Sequence, residues 1–249
     1  MNERLINLKN KARKMARERN LPSFYLDYAE ETSFASDLFF NHPALLKLQE
    51  DAVAFLYDDY MFGIDHSKHL AQDASTLILA WDCGLDHTRQ RRAAFLAQVA
   101  AMMHDIECSG GESERFDGSA YALLDGCTLS DSEKHLVARA STCHRIPDTS
   151  DMPEGSELRI LTHALHDAYL FRFGADIFAT IMWNYCDYTS QPLTEVAAQF
   201  EAALAEVQDA PMEFLTETGR KYGPEILQVG REQAQAMLRL LKEAADQDS

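Results

Sequence analysis

A histidine and an aspartate stand side by side at the end of a long apolar segment, and both side chain types can bind protons or metal ions. His104 and Asp105 directly follow residues 92–103, in which nearly every position is apolar. A helix that is apolar all round belongs in a protein interior, where an uncompensated carboxylate is costly. A divalent cation would compensate the charge. Alternatively, Asp105 accepts hydrogen bonds from backbone amides and His104 is an ordinary core histidine.

The segment Met102-Met103-His104-Asp105-Ile106 resembles the signature of the HD-domain superfamily of helical, metal-dependent phosphohydrolases. This resemblance implies two further metal ligands, an upstream histidine and a downstream aspartate. Upstream, His66 is followed by apolar residues at +4, +8, +11 and +12, which share one face of a helix. Downstream, residues 166–174 are similar to the family's last-ligand helix, with Asp167 at the ligand position. The resemblance covers about residues 61–190 well and 212–243 loosely.

Two details of these motifs bear on the ligand assignment. His69 is the alternative to His66 as the upstream ligand. If His69 were the ligand, the residue at +4 would be Asp73, where the motif has its first apolar residue. The helical phase of the apolar residues therefore favours His66. In the downstream motif, Tyr169 replaces the second acid of the family's usual Asp-Ala-Asp. The predicted metal ligands are therefore His66, His104, Asp105 and Asp167.

The ligand set implied by the resemblance suits one divalent cation, which could be manganese, iron, cobalt, nickel, magnesium or zinc. Such a cation polarises a phosphoryl oxygen and makes a bound water more acidic, and Asp105 would orient or deprotonate that water. The resemblance thus implies hydrolysis of a small phosphorylated compound, either a nucleotide or another phosphomonoester. A non-catalytic metal- or nucleotide-binding signalling module and a di-iron oxygenase of the same superfamily are the alternatives.

The remaining histidines favour one metal over two. Dinuclear members of the family carry an additional histidine roughly where Arg115 stands here, and no histidine occurs between His104 and His135. His144 stands where many members keep a further histidine near the metal. It is predicted to contact the substrate phosphate or to donate a proton; otherwise it interacts with the dipole at the end of its helix.

A phosphate group needs cationic partners, and the candidates nearest to these motifs in sequence are Lys68, Arg115 and Arg145. Each of them could equally be an ordinary surface charge. Together with His69, they form the predicted substrate-binding set.

The charge composition indicates which kinds of molecule the protein can bind. The net charge is −17, although residues 1–20 hold seven Lys or Arg against two acids. An acidic surface repels phosphate polymers, so a small substrate is expected and a nucleic-acid polymer is not. We expect a cytoplasmic protein, because there is no signal-peptide core and no apolar run long enough to span a membrane. The oligomeric state stays open, a homodimer included.

Helical periodicity dominates the chain and strand signals are scarce, which predicts an all-α fold. The expected architecture is an HD-domain helical bundle over residues 61–190, with an N-terminal helical extension over 1–60 and C-terminal helices over 191–249. Residues 130–133 are predicted to start a helix with a capping box. The expected helices cover roughly 2–19, 23–39, 43–60, 66–83, 87–105, 115–125, 130–145, 156–172, 174–187, 192–208 and 223–245.

Overall fold

The computed structural model of the chain is helical and contains no β-strand in the residues that it describes, which confirms the all-α prediction. Those residues are 7–8, 10–12, 14–15, 18, 20–52, 64–104, 106, 118–143, 149–174, 192–209 and 212–246. The helices are α1 Ser23–Asp27, α2 Ala29–Asn41, α3 Pro43–Ala52, α4 Ile64–Ala80, α5 His87–Met103, α6 Gly118–Leu124, α7 Asp131–Cys143, α8 Glu157–Phe171, α9 Leu193–Asp209 and α10 Glu217–Asp246. The helix expected over 174–187 lies outside the described residues.

Helix α5 is the central helix, as its apolar sequence predicts. It begins at Asp86, whose side chain accepts hydrogen bonds from the backbone amides of Thr88 and Arg89, the usual arrangement at a helix start. Every residue from Ala93 to Met103 is buried, and α5 packs against α3, α4, α7 and α8. This burial carries the end of the helix, and His104 with it, into the interior.

Two groups of buried apolar side chains hold the helices together. The larger core joins α1 to α8 and the first half of α10, with Phe24, Leu77, Met102 and Phe171 among its fully buried members. A smaller cluster joins α9 to the second half of α10 and includes Leu8. Helix α10 therefore runs from one core to the other. None of the described helices combines the length and the apolar character that crossing a membrane requires.

The start of α10 differs from the sequence-based expectation. A helix was expected over 223–245. The helix instead begins at Glu217 and continues through Pro224. The reason is that Thr216 caps the helix: its Oγ1 accepts a hydrogen bond from the Gly219 amide at 2.8 Å. The cap fixes the start about two turns earlier than expected.

The predicted capping box at the start of α7 is present. Ser130 Oγ accepts a hydrogen bond from the Glu133 amide at 3.3 Å, and the Glu133 carboxylate accepts one from the Ser130 amide at 2.8 Å. Glu133 also accepts a hydrogen bond from Arg92 Nε of α5 at 2.6 Å. The Arg92 hydrogen bond is the main cause that lowers the pKa of Glu133 to about 2, with the Ser130 bonds adding to it against the opposing effect of burial.

We expect Glu133→Gln to flatten the pH dependence of stability on the acid side. Since the pKa is lower in the folded state, the stabilisation from Glu133 is complete above its ordinary pKa near 4.5 and is lost as the pH falls toward about 2. For a side chain partly open to solvent, the effect is about 1 kcal/mol. Urea unfolding between pH 2.5 and 5.5 measures it, and equal slopes in the wild type and the variant would contradict the assignment.

Candidate metal and substrate site

Two of the predicted metal ligands lie side by side in the interior. His66 is in the first turn of α4 and His104 directly follows α5, and the two helices pack against each other. Their ring centroids are 5.3 Å apart, with 32° between the ring planes, and the exposed fractions are 8% for His66 and 3% for His104. The competing candidate, His69, lines a cavity described below.

A backbone contact orients the ring of His104. Its Nδ1 lies 2.5 Å from the carbonyl oxygen of Ala101. A carbonyl oxygen only accepts hydrogen bonds, so Nδ1 carries the proton and Nε2 of the neutral ring carries the lone pair. Metal-binding histidines are commonly held in this way, with one nitrogen donating to a carbonyl and the other facing the metal. The pair of buried imidazoles therefore fits a divalent transition metal.

Four of the predicted site residues lie outside the described residues: Asp105, Arg115, His144 and Arg145. Their roles as ligand, catalytic groups and phosphate contacts stay predictions.

The carboxylate of Asp167 is engaged by the chain that leads into α10. Asp167 lies on α8 and is fully buried. Its Oδ1 accepts a hydrogen bond from the Leu215 amide at 2.8 Å, and its Oδ2 accepts from the Thr216 amide at 2.8 Å and from Thr216 Oγ1 at 2.6 Å. Burial raises the pKa of Asp167, and these hydrogen bonds oppose the rise. The carboxylate thus ties α8 to the start of α10.

The described residues contain no group of three His, Cys, Asp or Glu side chains placed to hold a metal ion. In this arrangement Asp167 does not complete a ligand group with His66 and His104, and its role as a ligand stays a prediction. The third ligand that fits the pair by sequence is Asp105.

Gly219 allows α10 to approach the buried carboxylate closely. A Cβ atom at this position would lie 2.0 Å from Asp167 Oδ2 and 2.9 Å from Thr216 Oγ1, closer than nonbonded atoms can come. Nearby, His166 Nε2 lies 3.0 Å from the carbonyl oxygen of Glu213 and donates to it. Neighbouring residues of α8 therefore hold the segment before α10 at two points.

On α8, the ring of Tyr169 lies beside that of His66. Its ring centroid is 6.3 Å from that of His66, with the rings nearly perpendicular. Successive residues turn by about 100° along a helix, so Asp167 and Tyr169 point to nearly opposite sides of α8. The sequence motif did not predict that Tyr169 lies beside His66. It showed only that Tyr169 stands where the family usually has its second acid.

Of the predicted substrate-binding residues, His69 lines a cavity and Lys68 lies near Phe40, another lining residue. The cavity has a volume of about 850 Å³, and His69 and Phe40 line it. The Lys68 ammonium is 6.0 Å from the centroid of the Phe40 ring and 3.5 Å from Asp65 Oδ1. Sequence reasoning identified Lys68 and His69 but not the cavity.

A buried ion pair forms one wall of the cavity. Arg172 Nη2 donates to Asp73 Oδ2, and the side chains are only 4% and 7% exposed. The hydroxyl of Tyr25 lies 3.2 Å from each carboxylate oxygen of Asp73 and donates a hydrogen bond to them. The ion pair joins α4 to the end of α8, and the Tyr25 hydroxyl joins α1 to α4.

Comparisons of the chain with protein-family models, with curated proteins and with solved structures found no match. The resemblance to the HD-domain superfamily therefore depends on the motifs and their spacing.

Proposed function

We propose that this protein is a metal-dependent phosphohydrolase that acts on a small phosphorylated compound. The observation that carries the proposal is the buried pair of His66 and His104, whose ring centroids are 5.3 Å apart. In the sequence, Asp105 directly follows His104. Two imidazoles and one carboxylate are a common protein ligand set for a catalytic metal, with further positions left for water and substrate.

In the proposed hydrolysis, the cation and the side chains of the protein have separate roles. A bound divalent cation would supply Lewis-acid polarisation of the phosphoryl oxygen and a more acidic water. Asp105 orients the attacking water and accepts its proton as the new bond from oxygen to phosphorus forms. His144 donates a proton to the ester oxygen as its bond to phosphorus breaks. His66 and His104, fixed in the core, keep the ligand geometry constant.

The charge of the protein supports a small substrate. With a net charge of −17, the long-range field opposes approach of a polyanion, whereas one phosphate ester can be compensated locally by a cation. Lys68, which is half-buried and two residues after His66 in the chain, is the described candidate for such a local contact.

Removal and return of metal tests the proposal. We expect one bound metal per chain in the purified protein, loss of phosphate release after chelation, and its recovery with one of Mn²⁺, Fe²⁺, Co²⁺, Ni²⁺, Mg²⁺ or Zn²⁺. Elemental analysis and phosphate release from p-nitrophenyl phosphate and nucleoside monophosphates measure this. Metal binding without phosphate release from any of these substrates would favour a non-catalytic binding module. Two irons with dioxygen consumption would favour the oxygenase.

A further inference from the structure

The packing around His66 bears on how this ring is oriented. A histidine ring turns easily about its bond to Cβ, because the torsion at that bond has broad energy minima. A metal ligand, however, has to aim one ring nitrogen at the cation, and contacts around the ligand normally secure that orientation. His104 has such a contact in the carbonyl oxygen of Ala101. For His66, the neighbouring rings supply a second kind of contact.

Two rings lie against that of His66. The ring of His104 is inclined to it by 32° at a centroid distance of 5.3 Å. The ring of Tyr169 stands at 81° to it, and the 6.3 Å between the centroids is within the range of edge-to-face aromatic contacts. Rotation of the His66 ring would end this perpendicular arrangement and lose the energy of the contact. Tyr169 therefore restricts the His66 ring from the side of α8.

The ring of Tyr169 is itself held in place. Phe173, about one turn later in the chain, meets it edge-on, with 5.7 Å between the centroids and 82° between the planes. Both side chains are partly buried and pack against the larger core. Displacing the Tyr169 ring from His66 would thus disturb a second aromatic contact as well. A ring held in this way can serve as a fixed support for its neighbour.

The buried ion pair fixes α8 against α4 close to these rings. Arg172 follows Tyr169 by three residues, so the two side chains lie on the same side of α8. Asp73 follows His66 by seven residues and lies on nearly the same face of α4. The ion pair of Arg172 with Asp73, whose side chains are 4% and 7% exposed, therefore joins the two helix faces that carry Tyr169 and His66. Sliding of one helix along the other would separate this buried pair, which is strongly unfavourable, so Tyr169 stays opposite His66.

We propose that Tyr169 is a positioning residue for the metal site: its ring sets the orientation of the His66 imidazole, so that a nitrogen of that imidazole stays directed at the cation. The effect comes from the ring and not from the hydroxyl, because the edge-to-face contact is made by the ring. Phenylalanine should therefore replace Tyr169 in this role. The inference rests on the proposed function, in which His66 is a ligand, and it gives a role to a position where the family usually has an acid.

Titration of the chelated, metal-free protein with Co²⁺ tests the proposal. We expect Tyr169→Leu to bind Co²⁺ about tenfold more weakly than the wild type, as loss of a contact around a metal ligand typically does, and to shift the visible absorption bands of the bound ion. Tyr169→Phe should match the wild type in both. Tyr28→Leu is the matched control, because Tyr28 is half-buried in the same core and its ring contacts Phe24 and Tyr222. It should lose stability and keep the Co²⁺ affinity of the wild type.

NMR spectra of the metal-free protein separate this inference from the proposed function. We expect one sharp set of His66 ring signals in the wild type and in Tyr169→Phe, and doubled or exchange-broadened signals in Tyr169→Leu. Unchanged signals and unchanged Co²⁺ affinity in Tyr169→Leu would overturn the positioning role and leave the hydrolase in place. Weaker Co²⁺ binding by Tyr169→Phe would show that the hydroxyl is needed and would overturn the role of the ring. A wild type that binds no Co²⁺, together with broadened His66 signals in Tyr169→Leu, would keep the orientation of His66 by Tyr169 and overturn the metal-dependent hydrolase.

Discussion

Replacing Asp167 with Ala is expected to lower the free energy of unfolding by about 3 kcal/mol, even in protein freed of all metal. The carboxylate accepts hydrogen bonds from two backbone amides and one hydroxyl at the start of α10. Without it, the amides of Leu215 and Thr216 lose their acceptor. Burying the charged carboxylate costs free energy and offsets part of the stabilisation from these hydrogen bonds. The expected loss of stability is therefore smaller than the summed contribution of the three bonds. Urea unfolding in the presence of a chelator measures the change.

The matched comparison is Asp105→Ala, which removes the carboxylate predicted to bind the cation. That variant should lose phosphate release and bound metal, because the cation is left with too few ligands. Asp167→Asn should fall between the wild type and Asp167→Ala in stability, since one oxygen still accepts. If Asp167→Ala instead kept full stability in the metal-free protein and lost its metal, Asp167 would be the ligand that the motif predicts.

Replacing Asp73 with Ala is expected to destabilise the fold by about 3 to 5 kcal/mol, because it leaves the guanidinium of Arg172 buried without its carboxylate. Arg172 is 3% exposed, so in the fold its charge depends on Asp73 far more than on bulk water. Thermal and urea unfolding of the variant measure the loss.

Two further variants make this prediction specific to the ion pair. Tyr25→Phe removes one hydroxyl that donates to Asp73 and should cost about 1 kcal/mol. The double variant Asp73→Leu with Arg172→Leu removes both charges and should recover much of the stability lost in Asp73→Ala. Equal losses in the double variant and in Asp73→Ala would show that packing, and not the uncompensated charge, causes the destabilisation.

Local patterns were sufficient to predict the central helix, whereas the grouping of His66 with His104 came from the family resemblance. Residues 92–103 are apolar on all sides, so burial of α5 follows from composition alone. His66 was chosen over His69 by helical phase, and it is the ring of His66 that stands beside His104. The capping box at Ser130 and Glu133 is likewise a contact between residues three apart.

Contacts between distant residues could not be predicted in this way. The carboxylate of Asp167 meets donors 48 and 49 residues later in the chain, and Arg172 meets Asp73 across 99 residues. Neither pairing leaves a periodic signal in one sequence. The start of α10 was misjudged for a different reason, because the Thr216 cap that fixes it is a contact between residues only three apart. The cavity, built from five helices, is invisible to any local pattern.

The hydrogen bonds of Asp167 also bear on when the protein can fold during its synthesis. At about 5 to 20 residues per second, the amides of Leu215 and Thr216 are made roughly 2 to 10 seconds after Asp167. Until then the nascent chain lacks these hydrogen-bond donors for the carboxylate, which therefore favours a hydrated position. We expect the packing of α8 to be completed only after the C-terminal segment has left the ribosome. A ribosome-bound chain stalled before residue 212 should therefore remain sensitive to protease in α8, although most of the larger core has been synthesised.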